Sequence, residues 1–385
     1  MAQHFLTEEQ EMIRDLARQI AQEKIVPMRA ELDEQEEFPW EIMKLLAESD
    51  LFRIWIPEEY GGLGEGIFGL CLAMEELSRA CAGVAVSYAG SALGGTPILL
   101  YGTEEQKQKY LPQLASGERL GAFALTEANA GSDVAGMQAT ARKVDDGYVL
   151  NGTKQWITNG GEAEIYTVFT ITDRNRGARG STAFIMEKGM EGFSFGKKEK
   201  KLGIRTSSTR ELVFQDCFVP TAQRLGREGM GFIVAMKTFD QSRPGIGAQS
   251  VGIAQGALDE AIQFARERHQ FGKTISSFQA VQHMLADMAT EIEAARALVY
   301  YAARLVDSGD RSASKIAAMA KVFPSDMAMR VTTNAVQIMG GSGYMREYPV
   351  EKMMRDAKIT QIYEGTNQIM RNVIAGNLIK EAAAL

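Results

Sequence analysis

The sequence predicts an α+β, multidomain fold: a helical domain over residues 1–118, a middle antiparallel β barrel or sandwich over 119–227, and a C-terminal helical bundle over 228–385. Three observations carry this. At 385 residues the chain exceeds what one core usually serves, so two or three domains are expected. Apolar residues recur at helical spacing up to about 118, then give way to the β-branched and aromatic runs of strands. From about 228 long helical periodicity returns and persists.

In the first domain Thr7, followed by Glu8, Glu9 and Gln10, forms a capping-box start, and Met12, Ile13, Leu16 and Ile20 follow at helical spacing. Phe38-Pro39-Trp40 opens a second helix through Leu46. The glycine-rich segment 56–66 lacks both a preceding buried strand and the spacing of a dinucleotide turn, so it reads as a loop. Helical runs over 68–80 and 84–100 are rich in small residues. They leave Tyr88, Ser91, Leu93 and Gly94 as possible cavity walls, although plain helix packing explains each one alone. A second capping box at Thr103–Gln106 starts a helix that ends near Gly117.

In the middle domain Asp145-Asp146-Gly147 and Asn151-Gly152 are hairpin signals, and strands are expected over 165–172, 182–186 and 211–214. Two segments look chemical, 123–133 (Phe-Ala-Leu-Thr-Glu-Ala-Asn-Ala-Gly-Ser-Asp) and 155–161 (Gln-Trp-Ile-Thr-Asn-Gly-Gly). Both place hydroxyls and backbone N–H groups beside flat or small residues, as a flavin's ring edge and phosphates require. In the C-terminal domain Leu285, Met288, Ile292, Ala295, Val299, Ala302 and Val306 mark the seam of an antiparallel bundle or of a helix pair between subunits. Pro324 should kink or interrupt its helix. Segment 266–273 reads as a cationic helix C-terminus with a glycine cap, and 337–344 as a glycine-rich loop open to a ligand.

The stretch Gln361-Ile-Tyr-Glu-Gly-Thr-Asn-Gln368 sets a single acid between two helical runs. Glu364 is the candidate general base. A docked ligand would desolvate it, raising its pKa above the usual value of about 4.3 and strengthening it for proton abstraction from a carbon acid. On spacing alone a solvated helix-start residue is the commoner reading of such a glutamate.

Composition removes several classes. A formal charge of -7 argues against nucleic acid as the main partner. Three unpaired-looking cysteines, Cys71, Cys81 and Cys217, fit a reducing compartment, and His4, His269 and His283 are too few for a histidine-rich metal site. No metal is expected. With no signal-peptide core and no membrane-spanning stretch recognised, a soluble protein of the bacterial cytoplasm is expected, or of the mitochondrial matrix if the chain is a processed form.

Two long motifs then carry a resemblance. Leu125-Thr-Glu-x-x-x-Gly-Ser-Asp133, together with Gln337-x-x-Gly-Gly-x-Gly-Tyr344 continuing through Glu347, Lys352 and Asp356, resembles the signatures of the acyl-CoA dehydrogenase family, along essentially the whole chain. The resemblance implies an N-terminal α domain, a middle β domain and a C-terminal four-helix bundle, with FAD where they meet and a homotetramer built as a dimer of dimers.

By position, Phe123, Leu125, Thr126 and Ser132 resemble flavin and pantetheine contacts, and Trp156 and Thr158 those at the isoalloxazine. Arg268 and Phe271 resemble residues that reach a neighbouring subunit's FAD, joined there by Gln337 and Gly341, while Thr366 and Gln368 resemble further FAD contacts. Glu364 occupies the position of the family's usual base. Some members carry the base one residue before an arginine equivalent to Arg243; here that residue is Ser242, which cannot serve, so Arg243 becomes a neighbour of Glu364. The acyl and thioester groups would meet Tyr88, Ser91, Ser132, Asp240, Ser242, Arg243, Tyr363 and Gly365.

The implied reaction is α,β-dehydrogenation of an acyl-CoA thioester to the trans-2-enoyl-CoA, with electrons passed to electron-transferring flavoprotein and Trp156 as an edge contact. An acyl-CoA oxidase, an enoyl-CoA reductase or a non-catalytic flavin-binding member shares the same motifs. Chain length, branching or a ring in the acyl group stays open.

Overall fold

The computed structural model describes residues 6–383, so His4 lies outside the described residues. Six helices build the N-terminal layer: α1 Glu8–Ile20, α2 Val26–Gln35, α3 Trp40–Glu48, α4 Gly66–Ala80, α5 Ala82–Tyr101 and α6 Glu104–Ala115. Both capping boxes form. Thr7 and Thr103 accept from the backbone of Gln10 and Gln106, whose side chains reach back to the cap N–H groups. On α1, Ile13 and Ile20 enter the core, but Met12 is 71% exposed and Leu16 37%. Helical spacing put all four on one stripe, whereas α4 covers only part of it.

Helix α5 is, among the described residues, the one long and apolar enough to cross a membrane, a feature that sequence reading overlooked. Some 78% of its apolar window is buried inside the protein, so it is a core helix. Gly94 is the reason it seats so closely on the sheet: a Cβ there would lie 2.4 Å from the Ala122 nitrogen. Gly94 is therefore a packing contact and not a cavity wall.

The middle domain is one eight-stranded sheet in the order β6-β7-β3-β2-β4-β5-β8, with β1 (Gly121–Ala124) added beside β4. The strands are β2 Thr140–Val144, β3 Gly147–Thr158, β4 Ile165–Ile171, β5 Ser181–Glu187, β6 Phe193–Lys198, β7 Thr209–Pro220 and β8 Arg224–Leu225. The sheet is mixed, not purely antiparallel. β3 reverses the chain once and the following turn reverses it again, so β4 runs parallel to β2, and β1 also joins β4 in parallel. Asp145-Asp146 forms the expected β2–β3 turn. Asn151-Gly152 does not turn: it lies inside β3 at a register shift against β7, with Ala139 so close to Gly152 that a Cβ would come within 2.7 Å of it.

The C-terminal domain consists of α7 Gly231–Glu267, α8 Gln279–Asp307, α9 Ala313–Met339, α10 Val350–Thr360 and α11 Asn367–Ala382. Between α7 and α8 the chain makes a small hairpin, β9 His269–Gln270 and β10 Lys273–Thr274, turning on Phe271 and Gly272, both at positive φ. Gly272 is thus a turn residue and not a helix cap. The α8 seam is core as expected, with Met288, Ile292, Ala295, Val299 and Ala302 buried.

Pro324 does not interrupt α9, which continues to Met339. Lacking an N–H, it leaves the Ala320 carbonyl without its helical donor. Helix α7 crosses at that point through Gly247, whose absent Cβ would stand 2.2 Å from that oxygen.

Buried charges tie the domains together. Arg296 of α8 meets Glu75 of α4 at 2.7 Å, and both oxygens of Asp307 accept from the Ile67 and Phe68 N–H groups at the start of α4.

Candidate active site

Glu364 lies in the loop between α10 and α11, and the sequence dictates why that loop turns there. Glu364 and Gly365 both take positive φ, 52° and 94°, and Thr366 then caps α11 by accepting from the Ile369 N–H. Only glycine takes this conformation freely, so a glutamate held in it marks a position the surroundings enforce.

The carboxylate points at α7. Ser242 Oγ donates to Glu364 Oε2 at 2.5 Å. Arg243, the next residue, is 4% exposed, and its Nη1 pairs with Asp240 Oδ1 at 3.0 Å, which also accepts from Ser314 Oγ at 2.8 Å. Arg243 Nε is buried without a protein partner, so the guanidinium retains a free donor. Tyr363 donates its hydroxyl to Gln249 of α7, fixing the residue beside the base.

The electrostatics follow from burial. Withdrawal from water raises the Glu364 pKa; the Ser242 hydrogen bond and the charges of Arg243 and Lys321 oppose that rise without cancelling it. Burial lowers the pKa of Arg243, and the carboxylates of Asp240 and Glu364 counter it. Burial likewise raises that of Tyr363. A carboxyl of raised basicity beside a fixed cation is suited to taking a proton from carbon.

The β domain reaches the same place through aromatic rings. Phe123 at the end of β1 packs on Phe239 of α7 with centroids 5.3 Å apart, and the Arg243 guanidinium lies 5.8 Å from the same Phe239 ring. Leu125 is buried, Thr126 half-buried and Ser132 exposed. The loop they share is braced from below by Lys154, whose Nζ donates to the Leu125 carbonyl at 3.0 Å and to Glu127 at 2.7 Å, while Glu127 also accepts from the Gln138 and Ala139 N–H groups. Two residues on, Trp156 sits at a β-bulge with φ 57° and is 56% exposed, and half-buried Thr158 pairs with Thr209.

The remaining expected residues are dispersed. Arg268 and Phe271 stand on the β9–β10 hairpin, with Phe271 93% exposed. Gln337 and Gly341 flank the end of α9, where a Cβ on Gly340 or Gly341 would meet nothing within 4 Å. Neither pair shares a hydrogen bond or ring contact with the Glu364 group among the described residues. Thr366 is spent as a cap and Gln368 is exposed. Tyr88 and Ser91 are turned into the core: Tyr88 donates to the Leu51 carbonyl at 2.7 Å, and Ser91 Oγ accepts from the Gly121 N–H at 2.9 Å. Their polar atoms are taken up in the packing of α5.

Family models match most of the chain as acyl-CoA dehydrogenase: an N-terminal domain over residues 7–118, a middle domain over 122–217 and a C-terminal domain over 229–379. The chain belongs to the acyl-CoA dehydrogenase family. It is 49% identical to the short-chain-specific acyl-CoA dehydrogenase of Clostridium acetobutylicum, covering 97% of this chain and 99% of that one. Among solved structures it is similar to butyryl-CoA dehydrogenase of Megasphaera elsdenii, at 48% identity and TM-score 0.95 over 97% and 99% of the two chains. It is also similar to a chain in the structure of the electron-transferring flavoprotein of Acidaminococcus fermentans, at 51% identity and TM-score 0.95 over 97% and 98%.

The chain is an acyl-CoA dehydrogenase with FAD as its cofactor. Its residues fit that cofactor: Trp156 and Phe271 present exposed rings from left-handed backbone, Arg268 offers a solvent-facing guanidinium, and the Gly340-Gly341 turn leaves backbone open to close approach. Sequence reading missed Lys154, Glu127, Gln249 and Lys321. For Lys321 a signal existed. It falls in the helical register of Ala317, Pro324, Ala328, Val331 and Ala335, all buried, and a lysine on an apolar stripe needs an internal partner.

Proposed function

We propose that this chain oxidises a short-chain acyl-CoA, of the butyryl class, to its trans-2-enoyl-CoA, with Glu364 as the base, and hands the electrons to electron-transferring flavoprotein. The observation that carries the reading is the Glu364 carboxyl itself, desolvated, hydrogen-bonded by Ser242 and set beside buried Arg243 on a loop of enforced left-handed backbone. The names of the similar proteins support the short acyl chain and the flavoprotein partner.

A thioester α-proton is weakly acidic, so abstraction needs a raised base and a donor for the negative charge that develops on the carbonyl oxygen. Glu364 supplies the first. Its own backbone N–H, which no acceptor among the described residues takes up, would supply the second. When bound, FAD would supply the acceptor for the hydride that leaves the β-carbon. Ser242 holds the carboxyl, Arg243, itself fixed by Asp240, sets a positive charge beside it, and Tyr363 is tied to Gln249.

Leu125, Thr126, Ser132, Trp156 and Thr158 would hold the flavin face and the pantetheine arm. Arg268, Phe271, Gln337 and Gly341 would contact the cofactor of a neighbouring subunit, consistent with a homotetramer arranged as a dimer of dimers. Exposed apolar residues of the C-terminal helices, including Tyr301, Leu378 and Ile379, offer faces for such an assembly.

The test is an anaerobic visible titration of the purified holoprotein with short, medium, branched and cyclic acyl-CoA thioesters. Rapid bleaching of the flavin band by butyryl-CoA in preference to the others is expected. A yellow protein bleached by none of them would overturn the assigned direction and substrate together.

A further inference from the structure

Lys321, on α9, is fully buried behind the loop that carries Glu364. Its Nζ donates to the Gly365 carbonyl at 2.7 Å and to Asn367 Oδ1 at 2.8 Å. Asn367 is itself held by Ser325 and Asp326 of α9 through its Nδ2, at 2.8 and 2.7 Å, and its N–H donates to the Gln361 carbonyl at 3.0 Å. Asp326 also takes Gln361 Nε2 at 2.6 Å and Arg371 at 2.6 Å. The loop carrying Glu364 is therefore fastened on both flanks to α9, and among the described residues the bond that α9 makes between those flanks, directly after Glu364, comes from a lysine.

We propose that Lys321 is a positioning residue: its buried ammonium, bonded to the Gly365 carbonyl and to Asn367, locks Glu364 in the left-handed backbone from which its carboxyl reaches Ser242 and the thioester α-carbon. The inference rests on Glu364 being the base. An unclamped Gly365 carbonyl would let the Glu364–Gly365 pair relax toward ordinary φ, swinging the carboxyl away from α7. Four charged groups face the ammonium, Glu364 from the loop, Arg243 from α7, Asp326 from α9 and Arg371 from α11, and burial brings its pKa down to about 7. Its charge also favours the ionised base.

The test uses FAD-loaded wild type, Lys321→Met and Glu364→Gln, normalised to bound flavin, so loss of folded or loaded protein drops out. With the flavin reduced beforehand by dithionite, no hydride can leave butyryl-CoA, and deuterium uptake at its α-carbon from D2O reads proton transfer alone. For Lys321→Met the exchange is expected to fall roughly ten- to a hundredfold, while butyryl-CoA affinity, read from the flavin spectrum, stays unchanged. Exchange at the wild-type rate per flavin would overturn the proposal. If Lys321→Met does not accumulate as holoprotein, Lys321→Gln, which keeps one donor, is held to the same criterion with a smaller loss expected. Glu364→Gln separates the two readings: undiminished exchange there removes Glu364 as the base, whereas its loss together with full exchange in the Lys321 variant removes only the clamp.

Discussion

Replacing Ser242 by alanine isolates how the site sets the strength of its base. Ser242 Oγ donates to Glu364 Oε2 at 2.5 Å, and this bond stabilises the carboxylate over the neutral acid. A hydrogen bond to a charged group contributes about 1.5–3 kcal/mol, so its removal raises the Glu364 pKa further. A water admitted in place of the hydroxyl would recover part of that bond, so the lower end of this range is the expected effect. The sign is fixed: the acid limb of the profile moves to higher pH, because more of the base is protonated at any given low pH. The plateau at high pH is held or slightly raised, since a more basic carboxylate is the better proton acceptor. The assay is stopped-flow bleaching of the flavin by butyryl-CoA, followed anaerobically across the pH range. An unmoved limb, or one moved to lower pH, would refute the claim that Ser242 acts on the ionised base.

Glu364→Gln is expected to leave a folded, yellow protein whose reductive rate drops by about a hundred- to ten-thousandfold, as stopped-flow bleaching would report. Breaking the buried Lys154–Glu127 pair with Lys154→Met should cost about 3–5 kcal/mol in urea unfolding and loosen the 125–132 loop. Burial lowers the Lys154 pKa from 10.5 to about 8, so between those values the unfolded chain binds more protons than the folded one. Wild type should therefore gain stability relative to the Met variant as pH rises through that window, with no such trend below it. Gly94→Ala places a methyl against the Ala122 backbone and should destabilise by about 1–3 kcal/mol, measured as a lower urea midpoint.

Local chemistry accounts for what was readable along the chain. The capping boxes at Thr7 and Thr103, the Asp145-Asp146 turn and the α8 seam each depend on residues within a few positions of one another, so their patterns survive without tertiary information. Asn151-Gly152 failed as a turn because the same dipeptide also suits a bulge, and only the approach of Ala139 decides which one forms. Pro324 failed as a breaker because its cost is set by what meets the freed carbonyl, and that is Gly247 on another helix.

The same division runs through the site. The motifs around Leu125–Asp133, Gln337–Tyr344 and Glu364 were legible as a family resemblance, and Glu364 as an acid on a polar loop. The sequence by itself determined the succession of helical, β and helical domains and the family, and it singled out Glu364 as the candidate base, because those depend on periodicity and on short residue strings. Only the tertiary structure decided what surrounds the Glu364 carboxyl. Ser242 lies 122 residues away and Lys321 lies 43, Tyr88 and Ser91 turn inward, and the withdrawal from water that raises the carboxyl's pKa exists only when α7, α9 and the loop are packed together.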